Sequence, residues 1–427
     1  MAFVIKTLKV LRNNWKKSTL AAVVLSYGGN RGRDKYRSIK LMREYCEEAQ
    51  TFGDVPLQSG KKPRHVTVIL NPAAKDGKGK KLFENFAAPL FHLAGIKLSV
   101  VQTEHEGQAK DLMEVMDNTD AVVIAGGDGT VSDVLTGLLR RDDEDFAVKR
   151  FPLGVIPIGK TNTAARYLFL KDSSAEVRWI AEAAMAVIKE NYQSMDIMHI
   201  QSDGGKPIYA IGKIDLGVFR DTNNKISKYW YWGPLKSQMA YLFSLIKNWP
   251  THIEVNMNYV LPCAGCSKCR SENPTLNEMN LENRRWWHAF IRPKPMIQMP
   301  VVNSIDYSSI TNEECGVYRN KQSKATEVTV ATKHAFEPIV NTTDACLQIR
   351  IVQENLTRSQ FFSEGLTHSE TGKASDDITF NLKASEIQIE PVAKSEEESW
   401  YSIDNEAFEV RPISVKLLPK KVNFYCN

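Results

Sequence analysis

The stretch Ala121-Val122-Val123-Ile124-Ala125-Gly126-Gly127-Asp128-Gly129-Thr130 decides the fold. Its first half is a short continuous apolar run, the pattern of a strand buried on both faces. Its second half sets three glycines around one carboxylate, a poor way to build a core. Glycine tolerates positive φ and has no side chain in the way, so the backbone turns sharply and comes close to a ligand. A helix expected to begin near Ser132 points free N–H groups and its positive end at the same place, which suits phosphate. Asp128 is the only local base among those donors. The combination reads as phosphate chemistry, with a carboxylate placed to handle a proton.

The same alternation extends on both sides. Val66–Leu70 leads to a helical pattern around Lys80–Leu90, and Leu98–Gln102 to one around Gln108–Met116. Leu153–Ile158 leads to one starting near Ala164. Short apolar strands between helices indicate βαβ units and a parallel sheet covered on both faces, with ligands at the carboxyl ends of the strands. After the helix Glu176–Ile188 the character changes. Asp196–Ile200, Ile208–Val218, Glu327–Thr332, Cys346–Val352, Ile387–Ile389, Ile413–Leu418 and Val422–Tyr425 read as strands, and helical pattern is scarce apart from Leu235–Lys247. This half reads as mainly antiparallel β. The expected organisation is a segment 1–60, an α/β domain 61–192 and a β domain 193–427, the last interrupted by a poorly patterned insertion at about 262–310.

At 427 residues, with 43% hydrophobic and 25% charged residues, the chain has the makeup of a folded protein of two or three domains. A net charge of +5 over this length argues for no nucleic-acid partner. The charge is uneven: residues 1–40 hold ten Lys or Arg and one acid, Asp34. Val4, Leu8, Leu11 and Trp15 form a stripe at helical spacing, with Lys6, Lys9, Lys16 and Lys17 away from it. That is a basic amphipathic helix suited to an anionic membrane or a mitochondrial targeting signal, or else a helix packed on the body of the protein. The apolar stretch Leu20–Tyr27 is short of the roughly 20 residues that span a bilayer.

Three strand-end loops carry small and polar residues. They are Asn71-Pro72-Ala73-Ala74 with Gly77 and Gly79, the Gly126–Thr130 loop, and Gly159-Lys160-Thr161-Asn162. With these residues the chain resembles the lipid-kinase superfamily of diacylglycerol, sphingosine and ceramide kinases, and within it the mitochondrial acylglycerol kinases of animals. The resemblance takes in Leu11–Lys17, the three loops, Lys228-Tyr229-Trp230-Tyr231-Trp232-Gly233-Pro234-Leu235-Lys236 and the tail Val415–Pro419. It leaves out the insertion.

The resemblance implies a doubly wound parallel α/β nucleotide domain followed by an antiparallel β-sandwich lipid domain, with the reaction in the cleft between them. It implies ATP as phosphoryl donor, Mg2+ as metal with unassigned ligands, and the free hydroxyl of mono- or diacylglycerol as acceptor. A ceramide or sphingosine acceptor stands as the alternative. Asp128 matches the carboxylate taken to activate that hydroxyl. Gly126, Gly127, Gly129 and Thr130 match the phosphate-facing turn, and Asn71, Thr161 and Asn162 match the rest of the nucleotide site. Ser402-Ile403-Asp404-Asn405-Glu406 resembles the family's Asp-Gly-Glu turn, which makes Glu406 a catalytic candidate and Asp404 a nucleotide-binding one. Asp221 matches an acceptor head-group position. Lys236 or Lys228 would supply positive charge, or is a solvated lysine on a linker. The third loop departs from the family's Gly-Thr-Gly-Asn-Asp.

The resemblance also implies a mitochondrial inner-membrane protein facing the intermembrane space. A role beside the carrier translocase that needs no catalysis is the competing class of function.

Two motifs point elsewhere. Gly154 to Thr161 fits G-x-x-x-x-G-K-[ST], yet its interior Val155-Ile156-Pro157-Ile158 reads as strand, so the match is taken as chance. Cys263, Cys266 and Cys269 form a C-x2-C-x2-C run. A structural zinc site needs four ligands, and Cys315 or His288 is the available fourth; reduced surface cysteines are the expected state.

Overall fold

The computed structural model describes residues 14–56, 60, 62–169, 176–248, 252–269, 307–335, 345–392 and 400–426. The stripe residues Val4, Leu8 and Leu11, and His288, lie outside the described residues.

The chain divides into two compact units, Met1–Met195 with Asp404–Glu406 and Lys420–Asn427, and Asp196–Ile403 with Ala407–Pro419. The first unit opens with helix α1 (Trp15–Gly53). Among the described side chains of α1 the packed ones lie in its C-terminal part: Ala49 is buried, Tyr45 Oη donates to Glu182 Oε1 at 3.3 Å, and Lys189 Nζ pairs with Glu48 Oε1 at 2.7 Å. Leu20, Val23, Val24, Leu25 and Tyr27 are exposed. Among the described residues no helix is long and apolar enough to cross a membrane. The reach of α1 to Gly53 was not expected, because residues 28–53 are largely polar and the helix buries little.

Strands β1 (His65–Leu70), β2 (Lys97–Gln102), β3 (Ala121–Gly126) and β4 (Leu153–Pro157) form a parallel sheet in the order β2-β1-β3-β4. β3 and β4 are buried at every position, as continuous apolar runs require of central parallel strands. The crossovers are short helices at Gly79–Leu82 and Ala88–Leu93 joined by a π turn, then α2 (Gln108–Glu114), α3 (Asp128–Leu139), α4 (Glu144–Arg150), α5 (Thr163–Leu168) and α6 (Glu176–Ile188). α6 occupies the residues expected of it, because its apolar stripe of Ile180, Ala183, Ala184, Val187 and Ile188 is unbroken.

The second unit contains the antiparallel part. After β5 (Tyr192–Ser202), β6 (Ile208–Ala210) and β7 (Lys213–Gly217) come helices α7 (Val218–Lys225) and α8 (Lys236–Asn248), then β8 (Ile253–Val260) and β9 (Tyr318–Ala331). β10 (Leu347–Gln353), α9 (Arg358–Thr371), β11 (Thr379–Ala384), β12 (Glu386–Val392), β13 (Trp400–Ile403), β14 (Glu406–Glu409) and β15 (Ile413–Tyr425) complete the order. β9 is the hub: its first half pairs with β8, its second half with β7, and β10 runs along it. Ile214, Leu216, Val255, Met257, Val328, Val330, Ile349, Ile387, Tyr401 and Val415 meet in one buried core.

Two elements differ from expectation. The residues read as two strands, Ile413–Leu418 and Val422–Tyr425, are the single strand β15, whose Phe424 pairs in parallel with Leu153 of β4. Helices α7 and α9 were not expected; they carry Phe219 and Phe361, which stack at 5.1 Å in a smaller core with Tyr241 of α8.

Candidate active site

β3 ends at Gly126 and α3 begins at Asp128, so Gly127 alone separates strand from helix. The helix therefore starts earlier than the expected Ser132, and Asp128, Gly129 and Thr130 are its first turn, not a loop ahead of it. Gly127 sits in extended backbone and offers no side-chain cap. The first amides of a helix have no intrahelical partner, so this end of α3 presents N–H groups where β3 stops.

The glycines are required by contact distance. A Cβ on Gly126 would lie 2.6 Å from Thr130 Oγ1, and one on Gly159 would lie 2.3 Å from Gly127 Cα. The second and third loops thus meet backbone to backbone. The Asp128 N–H donates to Thr161 O at 3.3 Å across the same junction. Asn162 closes its own loop, its Oδ1 accepting from Gly159 N at 2.9 Å and its Nδ2 donating to Gly159 O at 3.1 Å. Asn71 joins the first loop to the second: its Nδ2 donates to Thr130 Oγ1 at 3.2 Å while its Oδ1 accepts from Ala73 N at 3.0 Å. The three loops read from sequence form one hydrogen-bonded edge. The Walker-like segment does not belong to it as a loop, because Gly154 to Pro157 are buried strand.

Asp128 is 2% exposed. Its Oδ1 accepts from Ala164 N at 3.0 Å, in the first turn of α5, and its Oδ2 accepts from Asn405 Nδ2 at 3.3 Å. Asn405 Nδ2 also donates to Thr163 Oγ1. The carboxylate is therefore covered by an amide side chain.

Asn405 and Asp404 form the two-residue link between β13 and β14. Both have positive φ, 70° and 46°, as a type I′ hairpin turn demands. Asp404 is buried within this turn. The turn belongs to the first unit, which explains how a residue so late in the chain touches Asp128.

Glu406 follows directly. The residue is largely exposed, but its carboxylate presses on Gly129, where a Cβ would lie 2.0 Å from Glu406 Oε1. Burial of that carboxylate pushes its pKa up, reinforced by the charges of Asp133, Asp128 and Glu106. Asp133, one turn along α3, is itself raised, mainly by burial, and accepts from Gly107 N at 3.3 Å. Sequence reading missed Asp133 and Glu106. The i, i+5 spacing of Asp128 and Asp133 on one helix was the only signal, and it is weak.

The other two candidates lie in the second unit. Asp221 is in the first turn of α7, and its Oδ1 pairs with Arg220 Nη1 at 2.8 Å. Lys236 is the first residue of α8 and is exposed. Glu327 of β9, which the Asp221 charge reaches, is 1% exposed, and its carboxylate has no side-chain hydrogen-bond partner among the described residues. No sequence pattern marked it, since it reads as one residue of an alternating strand.

The profile of the diacylglycerol kinase catalytic domain matches residues 65–200, and that of the acylglycerol kinase C-terminal region matches residues 212–427. The mitochondrial acylglycerol kinase of Xenopus laevis is 35% identical over 100% of this chain and 96% of its own. That of Homo sapiens is 33% identical over 98% of this chain and 96% of its own. The human ceramide kinase is 28% identical over 54% of this chain and 46% of its own. Among solved structures, a putative diacylglycerol kinase from Bacillus anthracis str. Sterne superposes with a TM-score of 0.52 at 19% identity, covering 87% of this chain and 99% of that one, a likeness of fold. Matched from end to end in sequence and carrying both characteristic regions, this chain belongs to the acylglycerol kinase family.

Proposed function

We propose that the protein transfers the γ-phosphoryl group of ATP to the free hydroxyl of mono- and diacylglycerol, giving lysophosphatidic and phosphatidic acid. The carrying observation is the hydrogen-bonded edge of three strand-end loops with Asp128 and Glu406 at the start of α3. Phosphoryl transfer asks a protein mainly for alignment and for neutralising charge on phosphate oxygens. The N-terminal amides of α3 and the backbone of Gly126, Gly127, Gly129 and Thr130 meet the phosphates, and Asn71, Thr161 and Asn162 hold the loops that shape the nucleotide site. Asp404 completes this set, and Lys236 is proposed as a source of positive charge on the family resemblance alone.

Asp128 is the general base for the acceptor hydroxyl, which reaches Oδ2 when Asn405 gives way. Glu406 shares the proton traffic: its raised pKa brings it nearer to neutral pH, where a carboxylate exchanges protons most readily. Asp221 orients the acceptor head group.

Mg2+ is proposed on the family resemblance, with unassigned ligands, because among the described residues no group of three carboxylates gathers its oxygens around one point. When bound, the ion would neutralise phosphate charge.

Exposed aromatic and aliphatic residues favour substrate drawn from a membrane surface. Trp230, Tyr231, Trp232 and Leu235, in the helical turn ahead of α8, and Ile246 of α8 are exposed, as are Leu20, Val23, Val24, Leu25 and Tyr27 of α1. Aromatic rings with one polar edge favour the lipid–water boundary. Mitochondrial residence, the inner membrane, the face toward the intermembrane space and association with the carrier translocase are proposed on the family resemblance.

The test is radiolabelled ATP offered with monoacylglycerol, diacylglycerol and ceramide in mixed micelles, comparing the native chain with Asp128→Asn. Label in lysophosphatidic or phosphatidic acid, lost in the variant, is the expected result. Transfer to none of these lipids by the intact chain would leave the translocase role as the function.

A further inference from the structure

We propose that Cys263, Cys266, Cys269 and Cys315 bind a structural zinc ion at the base of the excursion between β8 and β9. The four sulphur atoms lie within 4.8 Å of one another, drawn together from two segments far apart in sequence. None of the four is in a disulfide. A zinc–sulphur bond of about 2.3 Å makes the edge of a tetrahedral tetrathiolate site about 3.8 Å. Cys266 Sγ and Cys269 Sγ are 3.8 Å apart. A disulfide would need these atoms at about 2.05 Å, so the spacing is that of ligands around an ion.

The backbone supports the same reading. Cys266 N–H donates to Cys269 Sγ at 3.3 Å, and Asn312 Nδ2 donates to Cys263 Sγ at 3.3 Å. Such donors stabilise negative charge on sulphur, and the partners of the first ligands usually orient them in this way. Gly265 has φ +139°, and a Cβ there would lie 2.3 Å from Tyr307 Cε1. The turn that aims Cys263 and Cys266 inward therefore needs glycine. Ser267 N donates to Ile310 O at 2.9 Å, tying the two segments together beside the sulphurs. Cys266 is fully buried, whereas Cys269 is exposed. The four are reduced, as expected from sequence, but Cys266 is buried and the sulphurs are gathered, which scattered surface cysteines would not require.

The position gives the ion a task. Val260 and Tyr318, the last residue of β8 and the first of β9, are register partners. Cys263 lies just beyond the first and Cys315 just ahead of the second. An ion held by both closes the intervening chain at its root, where the apolar core of the unit does not reach. Closing a long loop removes entropy from the unfolded chain, and binding energy at such a site is folding energy. On binding, four S–H groups release their protons to solvent, and four thiolates with Zn2+ leave a local charge of −2.

Full-length protein purified without chelator should carry about one zinc per chain by elemental analysis, the stoichiometry of a closed tetrathiolate site. Exchange with cobalt should give the intense visible bands of tetrahedral thiolate ligation. Cys269→Ser, an exposed position, and Cys266→Ser with Cys315→Ser should both lose the metal. The folded Cys46→Ser variant should retain it. Four freely titrating thiols and no zinc in metal-replete, folded protein would overturn the proposal. So would cysteine–cysteine disulfides in protein kept reduced, or stoichiometric iron. Each readout is independent of lipid phosphorylation, so failure here and failure of the kinase assignment are distinguishable.

Discussion

Glu406 and Gly129 are in contact: the carboxylate occupies the space that any side chain at position 129 would fill, with Oε1 2.0 Å from where a Cβ would stand. The middle residue of the Gly-Asp-Gly run therefore has two glycine neighbours for different reasons. Gly127 admits the third loop, and Gly129 admits an acid from the far end of the chain. Gly129→Ala should push Glu406 outward into water while leaving the α3 backbone intact. Displacement of a catalytic group by about 1 Å costs on the order of 100-fold in rate, and that loss of kcat is expected with little change in melting temperature. The pH profile should move as well. Burial and neighbouring acids hold Glu406 above its ordinary value, so release into solvent lowers its pKa and shifts the acidic limb of kcat downward. An unchanged profile would remove Glu406 from the proton traffic.

Asp128 makes two contacts of the kind a structural carboxylate makes, to Ala164 N and Asn405 Nδ2, so loss of activity in Asp128→Asn alone does not separate the two roles. The amide would face one of these donors with another donor. Loss of a hydrogen bond to a charged group costs about 1.5–3 kcal/mol, and a fall in melting temperature is expected beside a rate loss of about 10²–10⁴-fold. The double variant Asp128→Asn, Asn405→Asp restores donor–acceptor complementarity, since Asp also accepts left-handed backbone. It should recover stability without recovering turnover. Recovery of both would make Asp128 a structural residue.

The contrast between these two residues shows what was legible. The parallel strands, α6 and the three loops were readable because each rests on a local pattern, namely apolar runs, an unbroken helical stripe and clusters of small residues. The start of α3 was misplaced because Gly127 caps it without a side-chain signal. α1 and α9 were missed because they are mostly polar, so propensity and surface packing hold them without a strong stripe. β15 was divided at Pro419, where Lys420 takes φ +48° and the chain passes from one unit to the other. The pairing of Asn405 with Asp128, and the choice of Cys315 over His288 beside the other three cysteines, depend on chain return over long sequence distances. No local pattern encodes that.

Asn405 stands where the family's turn has glycine, and positive φ alone accounts for either residue. Its second property is the amide over Asp128 Oδ2. Asn405→Gly keeps the turn and uncovers the carboxylate, so turnover should be retained or raised, with a modest loss of stability. Asn405→Ala also uncovers Asp128 but forces a Cβ into left-handed backbone at about 1–2 kcal/mol, so it should melt earlier than the glycine variant. A glycine variant that folds yet loses phosphorylation would show that the amide itself is required, in place of acting as a cover.

In the second unit, Glu327 and His368 each tie stability to pH, with opposite signs. His368 Nε2 lies 3.6 Å from Glu327 Oε1, and Lys213 Nζ pairs with Asp215 Oδ2 at 2.6 Å nearby. Burial, reinforced by Asp215 and opposed by Lys213, holds the Glu327 carboxyl well above 4.5. Burial, helped by Lys213, pushes His368 from 6.5 to about 4. The signs oppose each other. Unfolded chain releases the Glu327 proton near 4.5 while the fold retains it, so this residue removes stability as pH rises above that value. Unfolded chain takes up the His368 proton near 6.5 while the fold refuses it down to about 4, so this residue removes stability as pH falls through that window. Glu327→Gln keeps the shape and abolishes the first effect alone. Its gain in melting temperature over the native chain should be larger at pH 8 than at pH 5, and the acid loss should persist in both proteins. Equal destabilisation at the two pH values would instead identify Glu327 as an ionised partner of His368 and Lys213.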